Sequence, residues 1–338
     1  GWRTIWSEES IHELRNLLGR EKPDIAHFHN TFPLISPSGY SACREAGVPV
    51  VQTLHNFRML CPGGNLFRDG QVCEECVEHN LLCSLVHGCY RDSRMATAVV
   101  AGMLAVHRGL GTWKDSVDLF LVPTEFAGRK LAAGGIPAWK IAIKPNFAEF
   151  HGAQKNGKGA RALFVGRISP EKGVGQLTEA WARMGGAVPL EIVGDGPQRA
   201  SLEAQCSDRG MRGVTWSGWQ SREMVFEKMR EARFLFVPSA CYEMFPLAIV
   251  DAFACGVPVI AANHGAMAEL VSDGVTGLHF RSGDAADLAD KALWAWNHPQ
   301  EMVEMGRAAR AEFEEKYTPR RNCRLLEKAY ERAIGSQE

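Results

Sequence analysis

The chain has 338 residues, 46% of them hydrophobic, and a formal net charge of -1. That length suits two cores better than one, and residues 1–150 carry fifteen Lys and Arg against fifteen Asp and Glu, which excludes a nucleic-acid binder built on bulk positive charge. No signal peptide opens the sequence and the uncharged stretch Met95 to Val106 is too short to span a bilayer, so a cytoplasmic protein is expected, soluble or peripheral at the inner face of the membrane.

In chain order, Ile11 to Leu18 reads as a helix, and Asp24 to His29 as a strand running into a polar turn. Ser38 to Ala46 is a short helix stopped by Gly47, and Val48 to Leu54 a second strand ending at His55-Asn56. Residues 60–90 form a glycine- and cysteine-rich loop with little periodicity. Met95 to Leu110 is an apolar helix with Arg91, Arg94 and Arg108 at its flanks: either a buried helix or one that meets a membrane. Asp118 to Val122 is a strand and Thr124 to Ala133 a helix. Residues 151–160 are polar and glycine-rich and divide a first domain, 1–150, from a second, 161–318.

The second domain offers strands at Arg161 to Val165, Leu190 to Val193, Val214 to Trp216, Phe234 to Val237 and Val257 to Ala261. Helical segments separate or follow them at Gly175 to Met184, Gln198 to Gln205, Ser221 to Glu231, Pro246 to Cys255 and Asp284 to His298, which predicts a parallel, doubly wound sheet. A helical tail from Glu301 to Gly335 breaks near Pro319, and its last part, 319–338, is long enough to return to the first domain.

Of ten cysteines, six fall in the first third. Without a secretory signal a disulfide framework is not the first reading. Cys73 and Cys76 have knuckle spacing, and with Cys61 and Cys89 they make a candidate structural zinc site; Cys83 is a spare. Free or reversibly oxidised thiols are the alternative, and a catalytic thiol a third.

Two motifs carry chemistry. Gly166-Arg-Ile-Ser-Pro-Glu-Lys-Gly173 is a glycine turn after an apolar strand with two cations, Arg167 and Lys172, suited to a diphosphate. Pro238 to Ile260 places Glu243 just before a helix and Asp251 within it, two acids for gripping hydroxyls. Gly194-Asp-Gly196 is a tight turn, and Ser217-Gly218-Trp219 is a second place for a nucleotide. His27 and His29 share a strand face, for packing and loop anchoring or for a metal pair.

Together these residues, from about Pro23 to Tyr330, resemble the GT-B, family 4 (group 1) glycosyltransferases. The resemblance implies an α/β fold of two Rossmann-like, doubly wound domains with an inter-domain cleft. It implies a retaining transfer of sugar from a nucleoside-diphosphate donor, UDP- or GDP-linked, to a hydroxyl of a saccharide or lipid-linked acceptor in polysaccharide or glycolipid synthesis. Gly166, Arg167, Lys172, Gly194, Gly218 and Trp219 would line the donor site, Arg167 and Lys172 neutralising the leaving diphosphate without a catalytic divalent metal. Glu243 would face the sugar hydroxyls, with the backbone of Met244, Phe245, Pro246 and Leu247 nearby. Asp251 stands where the family has a glutamate for the ribose diol, one methylene nearer its backbone.

His55 matches a family histidine near the transferring sugar, with a satisfied core histidine as the bland reading. No redox cofactor is implied. A complete family member begins with a strand and a glycine-rich turn ahead of a segment like Asp24 to His29, so the resemblance implies an incomplete first lobe, whose exposed edges favour a homodimer. A nucleotide-sugar epimerase and a non-catalytic nucleotide-sugar-binding protein are the alternatives.

Overall fold

The computed structural model describes residues 2–150, 152 and 159–335. It divides the chain into two units: Gly1–Arg68, Cys73–Pro145 and Cys323–Glu338 form the first, Asp69–Val72 and Asn146–Asn322 the second. Of the sequence linker 151–160, residues 151 and 153–158 lie outside the described residues.

The first unit holds a four-stranded parallel sheet in the order Ala26–Phe28, Val50–Thr53, Leu119–Val122, Ile141–Ile143. Its two central strands, Val-Val-Gln-Thr and Leu-Phe-Leu-Val, are buried along their whole length. That is why they read as apolar runs without alternation. Val51, Leu119 and Leu121 pack against Ala329 and Ala333 of the helix Pro319–Gly335. The helix Arg94–Gly109 starts at Ser93, whose side chain accepts from the Ala96 amide, and buries Val100, Met103 and Leu104 while Met95 and Val106 stay exposed. Among the described residues no helix is long and apolar enough to cross a membrane.

The second unit is a six-stranded parallel sheet ordered Gly277–Phe280, Val259–Ala262, Ala232–Val237, Arg161–Val165, Leu190–Val193, Val214–Gly218. Its core runs from Leu163 and Phe164 through Trp181, Phe236 and Phe253 to Met302 and Phe313. Strand order reverses between Arg161–Val165 and Ala232–Val237, and in such sheets the crevice beyond the strands' carboxyl ends at that point receives ligands.

Among the elements that escape the sequence patterns are the strands Ile141–Ile143 and Gly277–Phe280 and the helix Gly265–Leu270. The first strand is three residues long, and the second opens on a glycine. Gly277 is required there, because a Cβ would lie 1.9 Å from the Val259 carbonyl oxygen.

The zinc expectation is not supported. Among the described residues no group of three or more His, Cys, Asp or Glu is disposed to hold a metal ion, and Cys61, Cys73, Cys76 and Cys89 are free thiols. Burial pushes the Cys76 thiol up to about 12 and raises Cys89 as well. The segment's order has other sources that its lack of periodicity concealed. Phe57, Leu60 and Leu66 are fully buried, and Glu75–Glu78 and Leu82–His87 are short helices. The two acids between Cys73 and Cys76 are spent on ion pairs, Glu74 with Lys130 at 2.5 Å and Glu75 with Arg68 at 2.6 Å.

Candidate functional site

In the second unit, three glycine turns stack backbone on backbone beyond the strand ends. Gly166 N–H donates to Val193 O at 3.0 Å, Gly194 N–H to Gly218 O at 2.8 Å, and Ile168 N–H to Asp195 O at 2.9 Å. A Cβ at Gly194 would meet Gly166 O at 1.9 Å, one at Gly196 would meet Ile168 O at 2.3 Å, and one at Gly173 would meet Pro238 O at 1.9 Å. Gly194 and Gly173 also have φ of 138° and 71°, so these turns close only on glycine.

Gly173 and Pro238 thereby bring the two motif-bearing loops together on either side of the point where strand order reverses. Lys172 Nζ lies 2.5 Å from Glu243 Oε1, which also accepts from Ser239 Oγ at 2.7 Å. Glu171 N-terminal to it is anchored in turn: its carboxylate accepts from Ser169 Oγ at 2.6 Å and its carbonyl from the Ala240 amide at 2.9 Å. Arg167 is exposed, with no side-chain partner among the described residues.

Two helices begin here, Val174–Met184 after Gly173 and Leu247–Cys255 after Pro246, and neither has a side-chain cap. Ser7, Ser93, Thr124, Ser221 and Asp284 cap other helices, while Arg199–Asp208 and Pro299–Lys316 also start without a side-chain cap. Two cations and two uncapped amide ends make a site for an anion with many oxygens. Met244, Phe245 and Pro246 are buried and hold the turn, whereas Leu247 is exposed at the helix start.

Asp251 takes no part in the Lys172–Glu243 network. Its Oδ1 is buried without a hydrogen-bond partner and 3.6 Å from Arg222 Nη2. Burial pushes its carboxyl up to about 6, against the pull of Arg222. Such an orphaned acceptor suits a hydroxyl donor. Trp219 is 76% exposed. Ser217 spends its hydroxyl on Glu191, a 3% exposed acid in mid-strand that Arg161 and Lys228 also hold, at 2.8 and 2.5 Å.

His264 was not singled out by sequence reasoning. Its Nε2 meets the Ser239 carbonyl at 2.8 Å and its ring packs 5.6 Å from that of Tyr242, so it braces the Glu243 loop. Burial lowers its pKa, with the Ser239 carbonyl and Glu243 opposing. Its position just past the strand Val259–Ala262, the neighbour of the strand that leads into the loop, was the available signal.

In the first unit, the neighbouring strands Ala26–Phe28 and Val50–Thr53 run on into His29-Asn30 and His55-Asn56. Each asparagine closes a turn: Asn30 Oδ1 accepts from the Phe32 amide at 3.1 Å, Asn56 Oδ1 from the Arg58 amide at 3.0 Å. His29 Nδ1 and His55 Nε2 are 2.9 Å apart, with rings stacked at 5.2 Å. One nitrogen must donate and the other accept, so the pair holds at least one neutral ring. Burial, then His29 and Lys144, lower the His55 pKa.

His27 is occupied structurally, meeting Tyr330 Oη at 2.8 Å and Thr53 Oγ1 at 2.7 Å. Burial, then His29, Lys144 and His55, lower its pKa to about 4. Gln52 donates to the carbonyls of His29 and Thr53 and accepts from Tyr40, which fixes the strand ends. A cavity of about 60 Å³ opens beside them, with His29, His55, Asn56, Arg58, Met103 and Trp113 in its wall and no carboxylate.

Residues 146–312 match the family model "Glycosyl transferases group 1", and residues 2–146 match "Glycosyl transferase 4-like domain". A 2-deoxystreptamine glucosyltransferase of Streptomyces kanamyceticus is 27% identical over 344 residues, covering 100% of this chain and 84% of its own. An uncharacterized glycosyltransferase of Methanocaldococcus jannaschii is 25% identical, covering 89% of this chain and 74% of its own. Among solved structures, the Anabaena HepE protein in complex with UDP has a TM-score of 0.69 at 20% identity, covering 94% of this chain and 81% of that one; it is also known with UDP-glucose. Sucrose-phosphate synthase from Thermosynechococcus elongatus has a TM-score of 0.71 at 17% identity, over 96% and 77%. These likenesses show the GT-B fold.

Proposed function

Because the chain belongs to the group 1, family 4 glycosyltransferases, we propose that it moves a sugar, with retention of anomeric configuration, from a nucleoside-diphosphate donor held by the second unit to a hydroxyl acceptor held by the first. The observation that carries the donor assignment is the meeting of Arg167, Lys172 and two uncapped helix starts where strand order reverses. Those groups neutralise a diphosphate and the charge that grows on it as the C1–O bond breaks. UDP in the HepE complexes supports the same class of donor.

Glu243, oriented by Lys172 and Ser239, accepts from the donor sugar's hydroxyls. The orphaned Asp251 oxygen accepts from the ribose diol, or from a water bridging to it. The cavity wall of the first unit offers no carboxylate nucleophile, which favours attack on the face the diphosphate leaves. The acceptor oxygen bonds to C1 as the C1–O bond to phosphate breaks, and the hydroxyl proton passes to the departing phosphate oxygen. His55, paired with His29, would hydrogen-bond an acceptor hydroxyl without bringing a fixed charge.

A panel of UDP- and GDP-sugars with saccharide and lipid-linked acceptors, read by mass spectrometry and by the anomeric coupling of the product, tests the reading. Acceptor-dependent release of nucleoside diphosphate with a retained anomer is expected. An inverted product, a glycosyl ester trapped on Glu243, or a changed sugar on an intact nucleotide without acceptor would refute it.

A further inference from the structure

The first-unit cavity holds a guanidinium that no carboxylate balances. Arg58 lies in the cavity wall, its Cζ 4.7 Å from the centre of the Phe32 ring and 5.2 Å from that of Tyr90. The two rings meet edge to face at 5.6 Å. Nη1 donates to Pro62 O at 2.7 Å, and Gly64, at φ 87°, lies so close beneath that a Cβ would stand 3.1 Å from Nη2. The planar fork is thus fixed by packing while most of its five N–H donors remain unused.

Two other half-buried arginines differ: Arg68 is paired with Glu75 and Arg161 with Glu191. Arg58 has no acidic partner among the described residues. Burial lowers its pKa, with Tyr90 and Cys61 opposing, so an anion beside it would be favoured.

The cavity's polar groups lean the same way. Asn30 and Asn56 spend their Oδ1 atoms on backbone amides, which leaves each NH2 group to donate. Tyr40 gives its hydroxyl to Gln52. What remains is a cation and two amide donors in a small, aromatic-walled space, the complement of an oxyanion.

We propose that this cavity selects acceptors carrying an anionic group, a carboxylate or a phosphate, which docks on Arg58 between the turns at Asn30 and Asn56. The proposal rests on the glycosyltransferase reading only in calling the ligand an acceptor, and its test needs no turnover. Arg58 is a specificity residue that holds the acceptor's charged end while His55 lies beside the same cavity.

Calorimetric titrations of the full chain would compare D-glucuronate with its neutral amide, and glucose 6-phosphate with glucose, UDP being present to occupy the second unit. One pair or the other should show binding about tenfold or more tighter for the anion, and which pair does so distinguishes carboxylate from phosphate. Arg58→Gln should abolish the preference and Arg58→Lys retain part of it, with circular dichroism confirming the fold. If Arg58→Gln fails to fold, the wild-type pairs still decide. Equal binding of anion and neutral partner in both pairs, no binding of any probe, or a preference that survives in Arg58→Gln would overturn the proposal. A failed UDP titration would count against the donor reading and leave this test intact.

Discussion

Replacing Asp251 by Asn should make the unliganded protein more stable while weakening its hold on the donor. Burial pushes the Asp251 carboxyl from its ordinary 3.8 up to about 6 while Oδ1 lacks a donor, and Arg222, 3.6 Å away, only partly opposes the shift. A folded pKa above the unfolded one means that the native state keeps a proton the unfolded chain has already lost, so stability falls as pH rises from about 4 to about 6 and stays lower above. The shift of about two units corresponds to at most ~3 kcal/mol. An asparagine still buries an imperfectly paired amide, so a net gain of about 1–2 kcal/mol remains, or several degrees in melting temperature. Thermal melts of both proteins from pH ~4 to ~8 measure it, groups common to both cancelling in the difference. Near pH ~4 the two should melt together, and above pH ~6 Asp251→Asn should melt higher. Calorimetry with UDP should show the variant binding about tenfold or more weakly. A variant less stable than wild type at pH ~8, or a difference that does not change with pH, would refute the reasoning.

Glu243→Gln removes the charge opposite Lys172 but keeps the shape; turnover should fall by about two orders of magnitude while UDP affinity, by calorimetry, changes far less. Gly194→Ala drives a Cβ against the Gly166 carbonyl and should cost about 3 kcal/mol or more in urea denaturation, whereas Gly47→Ala, with φ 67° but open space around it, should cost about 1 kcal/mol. His27 sits at about 4 in the fold against an ordinary 6.5, so the stability it contributes is complete above pH ~6.5 and is lost as pH falls towards ~4; partial exposure limits this to about 1–2 kcal/mol. The difference in denaturant midpoint between wild type and His27→Gln should grow in favour of wild type as pH rises through that window, groups common to both cancelling.

The second unit's glycine-turn and paired-acid motifs were legible because each needs fixed local chemistry. Gly173 and Gly194 mark turns where a side chain cannot fit, and the cations and acids lie within a few residues of them. Local pattern also found the strands Arg161–Val165 and Leu190–Val193. What was not legible depends on partners distant in sequence. Glu191 looks like an ordinary strand residue until Ser217 and Lys228 reach it. His264 becomes relevant only when its strand lies beside Ala232–Val237. The family resemblance implied a ribose ligand at Asp251, but its unpaired oxygen shows only in three dimensions. The cysteine-rich segment was misread because Leu60 and Leu66 are buried without any period that a window could detect.

The helix Pro319–Gly335 brings the chain back to the first unit after the whole of the second has been made. Until Ala329 and Ala333 leave the ribosome, Val51, Leu119 and Leu121 have no cover from that side. The second unit, nearly continuous in sequence from Asn146 to Asn322, can collapse during translation, whereas the earlier-made first unit must wait for contacts of very long sequence separation. The part synthesised first is therefore the part completed last, and the interval in which its apolar strands lie open is set by the time needed to translate the second unit.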